Sequence, residues 1–242
     1  MRWTSLLGLA LVAATCSAQE KEAEKLFKEM ETKIRAAKSL HFEFESVFDV
    51  DGRKTTSSGS FDLAEGRKKF RIKRESTTGK DSRVLLAVSD GTTTYSKEAE
   101  EVFKNPIALE FKDNHLSLIV RGGVSLLFNV CQVGPMPMIP GLANFDADIG
   151  KSLVVKNFKL ADKKKLADQD VQGVEYLLVL PGEKETMKLS VWIDTKTHLP
   201  VKQALAATVT QGGKSLKSED VTTFRAFVVD GAIDPKLFEV PK

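Results

Sequence analysis

Few side chains in this sequence of 242 residues have the type and spacing that covalent or metal chemistry requires. The histidines His41, His115 and His198 are far apart, and none belongs to a two-histidine motif with an acid one turn away. The segment 49–52 begins like a calcium loop, but the twelfth position is Ser60 rather than glutamate, and the glycine comes too early. There is also no nucleophile elbow and no phosphate-binding loop. We therefore predict no catalytic residue, no metal site, no cofactor and no enzymatic activity.

Two other chemically suggestive features have ordinary structural explanations. Cys131 lies among Phe128, Val130 and Val133, which indicates a small buried hydrophobe rather than a nucleophile. Residues 67–74 contain six basic side chains, which form a solvated outer strand face or, alternatively, dock on an anionic membrane surface. The net charge of +3 does not suggest a nucleic-acid partner.

The clearest pattern is apolar and repeats every second residue. Phe42, Phe44 and Phe48 alternate with polar residues, which predicts a strand with one apolar face and one wet face. The stretches 59–63 and 69–73 alternate in the same way and follow Asp-Gly and Glu-Gly turn signals. Three such strands predict an antiparallel meander with a phenylalanine-rich face, and that face needs a cover.

The rest of the chain predicts the elements that extend and cover this sheet. Residues 19–38 predict an amphipathic helix, with an apolar stripe that consists of Leu26, Met30, Ile34 and Ala37, flanked by Phe27. Further strands bring the total to about ten, at 84–88, 92–95, 152–161, 173–180, 187–193, 199–210 and 218–229. Residues 97–112 are charged and predict irregular structure, and residues 234–238 predict a closing helical turn. The fold class is therefore α+β, with a large curved antiparallel sheet.

Two central segments predict the cover of the sheet. Residues 116–130 are apolar at too many positions for a half-wet strand, which predicts a buried helix or two short pieces hinged at Gly122 and Gly123. The loop from Pro135 to Leu142 is rich in proline and apolar side chains. A mobile lid and a fixed plug are both compatible with that composition.

The first 18 residues have the features of a secretory signal. Arg2 is followed by a short apolar run and by the small residues Ser17 and Ala18, so we expect cleavage after Ala18. Residues 19–242 would then form a single domain in the periplasm, and lipidation at Cys16 is the alternative. Cys131 would be the one cysteine of the mature chain, so no internal disulfide is expected.

Several motifs, taken in order, resemble the periplasmic outer-membrane lipoprotein carriers, the LolA/LolB-like family. They are the Ser89–Thr92 hairpin followed by Tyr95, the Val191–Asp194 strand followed by Leu199–Lys202, and the closing segment Phe224–Phe238. The resemblance covers nearly all of residues 20–240. It implies a half-open β-barrel, capped by an N-terminal helix and a central helical insertion, that shields acyl chains on its apolar face. One departure is Glu65-Gly66, which stands where the family has an Arg-Pro pair tied to lid closure.

The resemblance and the alternation together define a predicted lipid-binding set. Its members are Phe42, Phe44, Phe48, Phe61, Leu63, Phe70, Ile72, Leu85, Leu118, Leu127 and Met138. The expected partners are acyl chains of a lipid or lipoprotein, together with a membrane-bound donor or acceptor, and the expected state is a monomer. Two alternatives remain open: a sensor module of the same fold that binds a membrane protein, and a structural domain whose apolar face is fully plugged.

Overall fold

The computed structural model describes residues 5–98, 101–105, 111, 113–124, 153–179, 186–211 and 214–240. Two α-helices precede and interrupt the strands: α1 (Ser5–Ala36) and α2 (Asp113–Arg121). The first strands are β1 (Leu40–Val50), β2 (Arg53–Ala64), β3 (Lys69–Thr78), β4 (Asp81–Asp90), β5 (Thr94–Glu98) and β6 (Glu101–Asn105). The later strands are β7 (Val154–Leu166), β8 (Gln169–Val179), β9 (Thr186–Asp194), β10 (Pro200–Gln211) and β11 (Lys214–Val229). A 3-10 turn at Pro235–Phe238 follows β11, as predicted.

These strands form one antiparallel sheet in the order β6-β5-β4-β3-β2-β1-β11-β10-β9-β8-β7. The first strand pairs with the last, so two meanders join at β1 and β11, and β6 and β7 are the edges. The sheet is curved and open, and helices cover one face. The predicted α+β half-open barrel is therefore confirmed.

The described strands number eleven rather than about ten, because β6 lies in the stretch predicted to be irregular. Its residues Glu101–Asn105 are mostly polar, and Val102 is 49% exposed. An edge strand in water needs no apolar face, so the alternation that reveals the other strands is missing here.

The β1–β2 hairpin turns at the predicted Asp-Gly pair. Asp51 and Gly52 both have left-handed backbone angles, φ 52° and 87°, as a two-residue hairpin of this hand requires. The amide of Gly52 donates to Asp49 Oδ1 at 2.8 Å. The acids that mimic a calcium loop therefore belong to the turn.

Helix α1 buries Met30 and Ile34 as predicted, but its stripe passes through Phe27 and Ala23 rather than Leu26. Ala23, Phe27, Met30 and Ile34 are fully buried at spacings of four, three and four residues, whereas Leu26 is only partly buried. The stripe therefore runs through Phe27, whose ring packs 4.7 Å from that of Tyr176. The helix begins at Ser5, within the predicted signal peptide, and cleavage after Ala18 stays a prediction. Among the helical residues described, no stretch combines the length and apolar character needed to cross a membrane.

Candidate functional site

The apolar side chains of β1 to β4 meet in register on one face of the sheet, which we call the inner face. Phe42 pairs with Phe61, Phe61 with Ile72, and Ile72 with Ala87. All four side chains are completely buried. The alternation in sequence therefore becomes a continuous apolar surface across four strands.

Most of the predicted lipid-binding set lies together on this face or on the helix that covers it. Eight members belong to one buried cluster, at 0–2% exposure: Phe42, Phe44, Phe61, Leu63, Phe70, Ile72, Leu85 and Leu118. Phe48, near the end of β1, is only partly buried. Leu127 and Met138 lie outside the described residues, as does the Pro135–Leu142 loop. That the set binds lipid stays a prediction.

Phe111, which the sequence did not single out, covers the inner face. Its ring packs edge-on against Phe61 and Phe70, with centroid distances of 5.3 and 5.1 Å. Its amide donates to the carbonyl oxygen of Arg67 at 3.0 Å, which anchors it to the β2–β3 loop. Phe111 belongs to the stretch 97–112, for which the sequence predicts irregular structure, so no helix or strand pattern assigned it to the inner face.

Helix α2 is the second part of the cover. Leu116, Leu118, Ile119 and Val120 are at most 1% exposed, so the helix is buried around its circumference, as its composition predicts. Gly123 follows with φ 85°, which supports the predicted break at the glycines. The helix ends at Arg121, and residues 125–130 of the predicted helical segment lie outside the described part of the chain.

Side chains from the sheet hold the C-terminal end of α2. The carbonyl oxygen of Val120 accepts hydrogen bonds from Tyr176 Oη at 2.7 Å and Gln203 Nε2 at 2.9 Å. Tyr176 Oη also lies 3.3 Å from the carbonyl oxygen of Arg121 and accepts from Gln203 Nε2 at 3.2 Å. The last carbonyl groups of a helix have no hydrogen-bond donor within the helix, so Tyr176 and Gln203 supply the missing donors.

An ion pair joins the same end of α2 to α1. Arg121 Nε lies 2.6 Å from Glu31 Oε1, and Arg121 Nη1 donates to the carbonyl oxygen of Leu153 at 2.7 Å. Both charged side chains are largely buried, at 18% and 9% exposure. We call Glu31, Arg121, Tyr176 and Gln203 the α2 latch, because together they fix this helix over the inner face.

Burial keeps the tyrosine of the latch protonated. Tyr176 is 1% exposed, and desolvation raises the pKa of its phenol above the ordinary value, while the hydrogen bond with Gln203 lowers it less. The group therefore remains a hydrogen-bond donor at every physiological pH. In the sequence, Tyr176 alternates with Val174 and Leu178, which is typical of an apolar strand face and gives no indication of a contact with Gln203. The sequence feature that could have identified Gln203 is its position between Val201 and Leu205 on the inward face of β10.

Of the six basic side chains at 67–74, one is buried and three lie beside acids. Arg74 is 5% exposed on the inner face, where burial lowers its pKa and the charge of Glu98 raises it. Three of the outer cations lie beside acids: Lys69 by Glu65 at 2.8 Å, Lys73 by Glu75 at 3.2 Å, and Arg71 by Asp62 at 3.7 Å. The prediction of a wholly solvated outer face is therefore wrong at Arg74. This residue alternates along β3 with Phe70 and Ile72, so its side chain lies on the inner face.

The three histidines lie in separate environments. His41 Nδ1 lies 2.7 Å from Asp62 Oδ1, His198 Nδ1 lies 3.4 Å from Glu29 Oε2, and His115 packs edge-on to Phe111. Within the described residues, no group of three or more histidine, cysteine or acidic side chains lies close enough to hold a metal. Cys131 falls outside this part of the chain.

Comparison with known proteins adds three distant structural likenesses. No family model matches the chain, and no curated protein matches it. LprF from Mycobacterium bovis is 10% identical with a TM-score of 0.47, over 89% of this chain and 97% of that one. A chain of the MucA/MucB complex of Pseudomonas aeruginosa is 14% identical with a TM-score of 0.41, over 91% of this chain and 61% of its own.

The third likeness is to a DUF1329 family protein from Desulfovibrio piger, which is 11% identical with a TM-score of 0.35. That match covers 91% of this chain and 97% of the other. At these identities and scores, none of the three carries an argument about function. None of them is named as a LolA/LolB-like carrier, and membership in that family stays a prediction.

Proposed function

We propose that this protein is a periplasmic, non-enzymatic binding module that shields acyl chains of a lipid or lipoprotein on its inner face. The observation that carries the proposal is the nature of the cover. In the described part of the chain, helices and Phe111 close the apolar surface centred on Phe42, Phe61 and Ile72. A cover of that kind can move without disturbing the pairing of the strands.

The energetics favour exchange between cover and ligand. Each methylene group buried on the inner face contributes about 0.8 kcal/mol, so a long acyl chain can take over the apolar packing that α2 provides in the closed protein. What must break is the α2 latch, a handful of hydrogen bonds and one ion pair. In this account the closed protein protects its own apolar face until a ligand takes over that role.

The binding step needs no catalytic group, because it consists of transfer from one apolar environment to another. A monomer suffices, because the inner face belongs to one chain. A membrane-bound donor or acceptor would supply and receive the cargo. An exported protein of this kind would work between two membranes, in agreement with the predicted signal peptide.

The proposal can be tested with a pyrene-labelled diacyl lipid and two matched substitutions on β1. Phe44 is 2% exposed on the inner face, whereas Val47 is 40% exposed on the same strand. We expect Phe44→Glu to weaken lipid binding at least tenfold, since it places a carboxylate on the apolar face. Val47→Glu should bind like the wild type.

Folding of each variant is checked by circular dichroism, and Ile72→Thr is a milder second change on the inner face. Equal lipid binding by the wild type, Phe44→Glu and Ile72→Thr, with the fold intact, would show that the inner face does not bind the lipid. A wild-type protein that binds no lipid but retains a membrane protein would favour the sensor alternative.

A further inference from the structure

The edge strand β7 carries a concentration of positive charge that the proposed function does not use. It is 13 residues long and contains five lysines and a single acid, Asp162. All five lysine side chains are exposed, namely Lys156, Lys159, Lys163, Lys164 and Lys165. Among the described residues, no carboxylate lies within ion-pair distance of them. Glu175, which lies opposite Lys159 on β8, is already paired with Lys188 at 3.0 Å.

A tryptophan connects this strand to the outer face of the sheet. Trp192 alternates on β9 with residues of the inner face, so its partly buried indole lies on the opposite, outer face. It pairs with Gly173 on β8, where a Cβ would lie 3.3 Å from the indole Nε1, so the ring lies against the glycine. The ammonium groups of Lys164 and Lys202 lie 4.1 and 5.5 Å from the ring centroid. We call the five β7 lysines, Lys202 and Trp192 the lysine edge.

Protection of the sheet edge against pairing with another chain does not account for this charge. Two bulges interrupt the pairing of β7 with β8, between Lys156 and Lys159 and between Leu160 and Lys163, and such irregularities already hinder edge-to-edge association. The other edge strand, β6, pairs regularly with β5 and contains one glutamate and one lysine. The regular edge therefore has no net charge, whereas the irregular edge has five lysines. This contrast indicates an anionic partner for β7.

The lysine edge also borders the cover of the inner face. Phe158 of β7 packs against Phe27 of α1, with ring centroids 5.2 Å apart. The carbonyl oxygen of Leu153, the residue before β7, accepts a hydrogen bond from Arg121 of the α2 latch at 2.7 Å. The first residue of the strand, Val154, is 54% exposed. A partner bound to the lysine edge therefore lies beside the helices that must move for an acyl chain to enter.

We propose that the lysine edge docks on the surface of an anionic phospholipid bilayer. Each lysine near a negatively charged bilayer adds to the attraction, and the boundary between water and lipid favours tryptophan. An acidic protein would match the charge but would leave the aromatic ring of Trp192 and the exposed Val154 without a role. This inference rests on the proposed function and adds the surface at which the protein meets its donor or acceptor membrane. Docking in this orientation places the α2 latch next to the bilayer.

Vesicle binding tests the proposal, with protein isolated from a bacterial host that exports it. Vesicles of phosphatidylcholine are compared with vesicles of an equimolar mixture of phosphatidylcholine and phosphatidylglycerol, and the bound protein is measured by flotation. We expect the mixed vesicles to bind the protein about tenfold more tightly, and added salt to weaken that binding, because salt screens the lysines. Equal binding to both kinds of vesicle, or binding to mixed vesicles that salt does not weaken, would overturn the inference.

Two triple variants locate the docking surface, and each removes three positive charges. The first changes neighbouring lysines of β7: Lys163→Gln, Lys164→Gln and Lys165→Gln. The second changes exposed lysines on β2, β11 and the β3–β4 turn: Lys54→Gln, Lys80→Gln and Lys217→Gln. We expect the affinity for mixed vesicles to fall about tenfold in the first variant and to stay near the wild-type value in the second. Equal affinities of the two variants would contradict the proposal, and aggregation of the first without loss of vesicle binding would show that the lysines only guard the edge.

The fluorescence of Trp192 reports on the same contact. Lipids with a doxyl group close to the head group should quench the protein in mixed vesicles, and the quenched component should be missing in Trp192→Phe. A vesicle-bound wild type whose fluorescence is not quenched would overturn the assignment of this surface.

Uptake of the pyrene-labelled lipid from a detergent dispersion separates this inference from the proposed function, because that uptake needs no bilayer. The variant with three changes on β7 should take up the lipid as the wild type does. A wild type that takes up no pyrene lipid but docks on mixed vesicles would refute the proposed function and support the docking surface.

Discussion

Arg121 Nε lies 2.6 Å from Glu31 Oε1, and this ion pair ties the cover helix α2 to the N-terminal helix α1. The two residues are 90 positions apart in the chain, and both side chains are largely buried. The pair therefore reports directly on whether the cover is closed.

Glu31→Gln should loosen the cover. The substitution leaves Arg121 in a mostly buried place without its carboxylate, and we expect a loss of about 1–3 kcal/mol in the free energy of unfolding, measured by urea denaturation. Uptake of the pyrene lipid should become several-fold faster. The control is Glu24→Gln on the same helix, which removes the exposed pair with Lys28 and should change stability by less than about 0.5 kcal/mol. Lipid uptake at the wild-type rate in Glu31→Gln would show that the pair does not limit opening.

Gly59→Ala should destabilise the sheet severely. A Cβ at position 59 would lie 1.9 Å from the carbonyl oxygen of Lys73, so β2 and β3 could not keep their spacing. We expect a loss of about 3 kcal/mol or more in the free energy of unfolding. Gly66→Ala is the matched control, because its Cβ would meet open space and only its φ of 65° is unfavourable, which costs about 1 kcal/mol. Similar losses of unfolding free energy in Gly59→Ala and Gly66→Ala would contradict the close approach of β2 and β3 at position 59.

Asp90 should contribute a pH-dependent part of the stability. Its carboxylate accepts hydrogen bonds from the amides of Thr93 and Thr92 and from the Thr92 hydroxyl, and these bonds hold its pKa below the ordinary value of 3.8. Because the folded pKa is lower than the unfolded one, this stabilisation is present above about pH 4 and is lost as the pH falls through the folded pKa.

The acid limb of the stability curve tests this contribution. Asp90→Asn should lower the melting temperature at neutral pH and leave a smaller loss of stability between about pH 4 and pH 2 than the wild type shows. The control is Asp81→Asn at the other end of β4. An acid limb as steep in Asp90→Asn as in the wild type would contradict the role of this turn.

The sequence predicts the strands and turns of the first meander best, because their patterns involve residues only a few positions apart. Alternation placed Phe42, Phe61 and Ile72 on one face, and the register confirms that they face one another across β1, β2 and β3. The turn at Asp51 and Gly52 has the backbone angles that such a pair favours. Each of these features depends on residues a few positions apart, so a pattern in the sequence suffices to find it.

The α2 latch depends on contacts between residues that are far apart in the sequence, which a local sequence pattern cannot reveal. Gln203 and Val120 are 83 positions apart, and their hydrogen bond exists only because β10 and α2 meet in the folded chain. On the inward face of its strand Gln203 lies between the apolar residues Val201 and Leu205, and neither of them indicates a partner for its amide. The same holds for Phe111, whose contacts with Phe61 and Phe70 come from different strands.

Native mass spectrometry can detect acyl chains bound to the intact protein. The protein is isolated gently from a bacterial host that exports it, and is also incubated with phospholipid vesicles, both as the wild type and as Glu31→Gln. We expect adducts with the masses of acylated lipids, at higher occupancy in Glu31→Gln because its cover opens more readily. Masses of the protein alone, for both the wild type and Glu31→Gln in both preparations, would contradict the proposal that the inner face binds acyl chains.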